Sequence, residues 1–214
     1  MVVKNDMTRK HPILENLQFV SFYLDQLLNP RRWVEIANEM IEATNILEPQ
    51  LRKFWIVATK NVQLEKLGKS DEHSINPPPN LHGPYFILTS YAIENLLKAL
   101  IIRDRRDEIR SQFFQTGSLP RLINGHNLLR LSREAKIKMD VYEEDVLTRL
   151  SRQSKWKGRY PVPVELAEMR NIAKYSDGKS YFMDYYKLED INLLNKIVKK
   201  LSDEIASSTS GQRS

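Results

Sequence analysis

Apolar residues recur at spacings of three and four along most of the chain, and strict alternation of apolar and polar residues is nearly absent. The pattern predicts helices and almost no sheet. A first helix is expected over about Ile13 to Leu28, ended by Asn29-Pro30. A second begins near Arg31, with Trp33, Ile36, Ala37, Met40, Ile41, Thr44 and Leu47 on one face. Glu48-Pro49 is expected to interrupt it, because proline lacks the helical N–H and crowds the preceding turn. A third helix follows from about Leu51 to Leu67. Gly68 to Gly83 reads as a loop, since Pro77-Pro78-Pro79 disfavours helix and sheet alike.

The stretch from Pro84 to about Arg103 is apolar on most sides but carries Glu94 and Lys98, an i,i+4 pair in the favoured order. Two charges in mid-segment are costly in a bilayer, so this reads as the buried central helix of a bundle. Arg103 to Arg110 reads as a solvated helix end, and Thr116 to Pro120 as a break. Asn127 is placed to cap a helix reaching about Ile137. Asp140 caps the next, which reaches about Trp156 and opens on an acidic turn of Asp140, Glu143, Glu144 and Asp145. Lys157 to Pro163 is expected to be extended. A short helix from Glu165 to Lys174 is closed by Ser176-Asp177-Gly178. The last helix, from about Leu188 to Ala206, has a narrow apolar stripe of Ile191, Leu194, Val198, Leu201 and Ile205.

The expected fold is all-α, an antiparallel helical bundle. An N-terminal helical hairpin (1–68) packs on it, followed by a Pro-rich loop (69–83), a helical core (84–206) and a polar tail (207–214), together one compact domain. A length of 214 residues is enough for one real core.

Composition narrows the chemistry. The absence of cysteine excludes disulfides, thiolate nucleophiles and Cys-type zinc sites. His11, His73 and His82 lie far apart among loop residues, and no spacing suggests a metal site. No phosphate-binding glycine loop, nucleophile elbow or dinucleotide fingerprint is present, so no cofactor is expected. The first ten residues carry charges and no apolar core, so the chain is expected to be soluble and cytoplasmic, with no membrane partner. A net charge of +6 permits RNA or another phosphate-bearing partner but does not require one, and a soluble surface rich in lysine is the plainer reading.

Tyr91-Ala92-Ile93-Glu94-Asn95-Leu96-Leu97-Lys98-Ala99-Leu100, followed by Gly125-His126-Asn127-Leu128-Leu129-Arg130-Leu131, resembles the HEPN superfamily. That family has an Ala-x-Glu-x-x-x-Lys-Ala helix, then a helix opened by His-Asp-Leu; Asn127 stands here where Asp is usual. Trp156-Lys157-Gly158-Arg159-Tyr160-Pro161-Val162-Pro163 is similar to a segment of one bacterial branch. The resemblance implies an antiparallel bundle of four or five helices, often a homodimer. Many members are ribonucleases of toxin–antitoxin or antiviral defence systems. Others lack the catalytic residues and bind nucleotides, RNA or a cognate protein.

The family's nucleases use an Arg, four to six residues, then a His. RNA can supply its own 2′-OH as nucleophile, an imidazole moves the proton, and a guanidinium stabilises the phosphorane, with no metal. Arg121 and His126, with four residues between them, are one candidate pair. They compete with a plainer role in organising the helix start. Arg170, Asn171 and Tyr175 form a second, degenerate motif, since an ordinary tyrosine is a poor base at neutral pH. Arg152, Lys155, Trp156, Lys157, Arg159 and Tyr160 interleave basic and aromatic side chains, as sequence-tolerant RNA binding requires. The plainer reading is that Trp156 and Tyr160 pack the helix end onto the bundle and the charges are solvated. Three functions stay open: a non-cleaving RNA or nucleotide module, a metal-independent endoribonuclease, and a protein-interaction bundle whose last helix offers its stripe to a partner.

Overall fold

The computed structural model describes residues 17–69, 75–154, 173–174, 180–181 and 186–210. Among them are seven helices, α1 (Leu17–Leu27), α2 (Pro30–Lys66), α3 (His82–Asp104), α4 (Arg106–Thr116), α5 (Leu128–Glu134), α6 (Val141–Arg152) and α7 (Leu188–Ser210). One antiparallel ribbon, β1 (Ala173–Lys174) with β2 (Ser180–Tyr181), is the exception to an all-α fold.

The helix borders follow from capping chemistry. Asn29 Oδ1 accepts from the Arg31 N–H at 3.1 Å, and Pro30 occupies the first helical position, where its missing N–H is no loss. The Trp33 indole donates to the Leu27 carbonyl at 3.0 Å, fixing the corner between α1 and α2. Asp140 and Glu143 form a reciprocal capping box at the start of α6.

Helix α3 is the centre, and its pairings give the topology. Against α2, the Lys98 ammonium sits 5.5 Å from the Trp33 ring centroid, Asn95 lies beside Met40, Tyr85 bonds Glu48, and Phe86 meets Trp55. Rising numbers on one helix meet falling numbers on the other, so the two are antiparallel. Against α7, Tyr186 stacks on Phe86 with centroids 3.9 Å apart, and Arg103 donates to the Glu204 carbonyl at 3.1 Å, so α3 and α7 are parallel. Helix α6 runs antiparallel to α7, with Arg149 on Asp190 and Lys200 on Glu143.

The core contains Phe86, Ile93, Leu96, Leu97, Leu100 and Ile101 of α3, Leu147 and Leu150 of α6, and Ile191, Leu194, Ile197 and Leu201 of α7. Each fully buried side chain of this size contributes about 1.5–3 kcal/mol. Three residues of the α7 stripe, Ile191, Leu194 and Leu201, are therefore core, not surface. Helix α3 is long and apolar enough to cross a membrane, yet most of it is buried in the bundle, which accounts for its apolarity.

Several boundaries differ from expectation. The break at Glu48-Pro49 is absent, and α2 runs through it as one helix, not as two arms of a hairpin. Pro49 lies on the exposed side, while Glu48 beside it is held by Arg52 at 2.7 Å, Asn195 at 3.0 Å and Tyr85. Tertiary bonds thus carry the helix past one missing N–H. The charged run after Arg103 is not only a helix end. Arg105 bonds Glu108 and Glu134, and a separate helix, α4, follows and ends on Gly117 at φ 63°. The helix after Asn127 stops at Glu134, short of Ile137, because Lys136 turns the backbone to φ 58°. Ala173 and Lys174, expected to end a helix, pair instead with Tyr181 and Ser180.

Candidate functional site

The segment between α4 and α5 is built by turn chemistry. Gly117 closes α4 with its N–H on the Phe113 carbonyl at 2.8 Å. The Pro120 carbonyl accepts from the N–H groups of Ile123 and Asn124, both at 3.0 Å. Gly125 has φ 99°, a conformation glycine adopts without steric cost. Asn127 Oδ1 caps α5 through the Arg130 N–H at 2.9 Å, and the Leu128 N–H donates to Ser151 Oγ of α6, also at 2.9 Å. Leu122, Ile123 and Leu128 are buried, which roots the loop and leaves its polar side chains outward.

His126 faces α3. Its Nδ1 lies 2.8 Å from Glu94 Oε2, and Glu94 Oε1 lies 2.5 Å from Lys98 Nζ. The Glu94 and Lys98 side chains are 7% and 6% exposed, whereas that of His126 is 43% exposed. Burying a carboxylate demands partners, and this one has two. A neutral ring that donates Nδ1–H to Glu94 keeps Nε2 as an acceptor. Such a ring is fixed in orientation and chemically competent to take a proton.

Arg130 braces the loop through its backbone. Its Nη1 donates to the carbonyls of Arg121 (3.2 Å) and Leu122 (3.3 Å), and its Nη2 to that of Asn124. Beside it opens a cleft of about 780 Å³ lined by Gln112, Thr116 and Ser118 at the end of α4, and by Leu119, Pro120, Arg121, Asn124, Gly125 and Arg130.

Of the expected pair, then, Arg121 lines this cleft, and His126 is bonded to Glu94 and is not among the lining residues. No hydrogen bond or ion pair joins the two. Arg152 ends α6. Lys155, Trp156, Lys157, Arg159 and Tyr160, and the second motif of Arg170, Asn171 and Tyr175, lie outside the described residues. Among the described residues no group of His, Asp and Glu is arranged to hold a metal ion.

No protein-family model matches the chain, nor does any of the curated proteins or solved structures compared with it.

Two residues of the site, Glu94 and Arg130, were not among the candidate site residues, although both stand in the segments that carry the resemblance. Glu94 reads as the partner of Lys98 alone, although a carboxylate on so apolar a helix signals a need for more than one partner. Arg130 is quoted only as part of the helix after His126, and its role is not legible there because its partners are backbone carbonyls.

Proposed function

We propose that this chain is a HEPN-like helical module that binds RNA or a nucleotide without cleaving it, in a defence or stress-response setting. The observation that carries this reading is the division of labour between Arg121 and His126. Cleavage by that pair needs imidazole and guanidinium around one phosphate. Here the imidazole is bonded to Glu94, Arg121 lines a cleft whose lining does not include His126, and no hydrogen bond or ion pair joins the two. The net charge of +6 supports a polyanionic partner.

The test is fluorescence anisotropy of a labelled single-stranded RNA titrated with the protein at rising salt, alongside total RNA incubated with the protein in EDTA. Salt-sensitive binding with intact RNA is the expected result. Absence of binding at low salt rejects the reading.

A second reading, a metal-independent ribonuclease, is favoured by one contact, the 2.8 Å approach of Glu94 to His126 Nδ1. A carboxylate so placed orients an imidazole for general acid–base work. On that reading RNA is degraded in EDTA, and His126→Ala abolishes the degradation.

A further inference from the structure

We propose that the cleft between the end of α4 and the loop before α5 binds the phosphate monoester of a nucleotide-sized ligand. The proposal rests on the RNA- or nucleotide-binding reading and assigns it a place and a chemical group.

The first argument is uncompensated charge. Arg52, Arg103, Arg105 and Arg149 are all partly or wholly withdrawn from solvent, and each meets a carboxylate. Arg130 does not. Its guanidinium donates to three backbone carbonyls, which take three of its five N–H donors and leave its positive charge without a carboxylate. Arg121 likewise meets no carboxylate among the described residues, and no acidic side chain lines the cleft. Two arginines lining one concavity with no acidic residue in its lining make a setting suited to an anion.

The second argument is preorganisation. Arg130 is clamped to the loop it braces, and that loop is closed by the Pro120 turn and rooted by the buried Leu122 and Ile123. An anion arriving here orders little that is not already ordered, which removes a main cost of binding.

The third argument is charge number and size. A phosphate monoester carries about −1.5 to −2 at neutral pH and matches two guanidinium groups, whereas an internal diester carries only about one negative charge. The cleft volume of about 780 Å³ falls within the range of small-ligand sites. Its lining also offers Leu119 as an apolar wall and the Asn124 amide to meet the edge of a base, while the Gln112 amide is already on Glu108 at 3.3 Å. A free nucleotide and the 5′-phosphate of an RNA end present the same group.

The full chain is titrated calorimetrically with adenosine 5′-monophosphate, inorganic phosphate and adenosine. By anisotropy, it is titrated with one RNA oligonucleotide in 5′-phosphate and 5′-hydroxyl forms. Binding of the monophosphate but not of adenosine is expected, and Arg121→Ala is expected to weaken it about tenfold or more. Arg121 is exposed and its side chain supports no other contact, so its variant should keep the parent melting temperature. Arg130→Lys can loosen the loop and serves only as a second probe. Preference for 5′-phosphorylated RNA points to an RNA end, and equal RNA binding with strong monophosphate binding points to a free nucleotide; both support the assignment. Undetectable monophosphate and phosphate binding, or equal affinity in Arg121→Ala, overturns it. If the RNA still binds in that case, the RNA-binding reading survives the loss of this site. If nothing binds, both fall.

Discussion

A single carboxylate, Glu94, holds the Lys98 ammonium with one oxygen and His126 Nδ1 with the other, at 2.5 and 2.8 Å. The central helix is thereby fastened to the loop that precedes α5. Removing Glu94 strands a lysine that is 6% exposed. Glu94→Ala is expected to lose about 3–5 kcal/mol in urea denaturation, and Glu94→Met with Lys98→Met to recover most of it. A single variant as stable as the parent would show that the pair is not electrostatically coupled to folding.

His126→Ala should behave differently. The ring is 43% exposed, and Glu94 retains Lys98 after it is gone. The expected loss is about 1 kcal/mol. The local effect is larger, because the loop loses its tie to α3, so limited proteolysis should cut near residues 117–127 faster than in the parent. Unchanged cleavage there would mean that the Pro120 turn and Arg130 hold the loop unaided.

Arg149 clasps Asp190 with both Nη atoms, at 3.0 and 2.8 Å, reaches Asp145, and lies 5.0 Å from the Tyr186 ring centroid. Burial opposes its charge, but the Asp190 and Asp145 carboxylates more than offset this and raise its pKa. A lysine supplies the charge without the planar fork or the stacking. Arg149→Lys is therefore expected to cost about 2 kcal/mol, read from the denaturation midpoint at unchanged slope. A neutral substitution would reduce the contact to a simple charge pair.

Glu143 gives an acid limb to the stability curve. Burial pushes its carboxyl pKa up, but the Lys200 ammonium and the Asp140 N–H overcome this, and the net shift is downward. A carboxyl with a folded pKa below its unfolded value of about 4.3 stabilises the fold above that pH. The contribution fades as pH falls through the folded pKa. Melting temperatures of the parent should therefore drop faster below about pH 4.3 than those of Glu143→Gln. Parallel curves would assign the acid limb to other carboxylates.

Pro49 brings no N–H to the carbonyl one turn earlier, and its ring faces outward. Pro49→Ala restores that hydrogen bond without touching the core. Thermal melting should rise, by an amount equivalent to about 1–3 kcal/mol. A lower melting temperature would mean that α2 needs the bend a proline imposes to follow α3.

What the sequence discloses here follows from how local each determinant is. The caps Asn127 and Asp140 are legible because a cap is decided within three residues. Burial of α3 is legible because a helix apolar on most sides has nowhere else to go. Pro49 misleads because the bonds that carry α2 through it come from Asn195 and Tyr85, far off in sequence. The His126–Glu94 contact spans 32 residues and Arg130 binds only carbonyls, so neither leaves a mark in a local pattern. The second Arg motif and the basic-aromatic segment after Ser154 lie outside the described residues.

The parallel seating of α7 on α3 has a consequence for the order of events during synthesis. The face of α3 that Ile191, Leu194, Ile197 and Leu201 cover is translated about a hundred residues before they are. At roughly 5–20 residues per second, that apolar surface waits on the order of ten seconds for its lid. A nascent chain halted between α6 and α7 is thus a sticky intermediate, and chaperone capture should be strongest at that length.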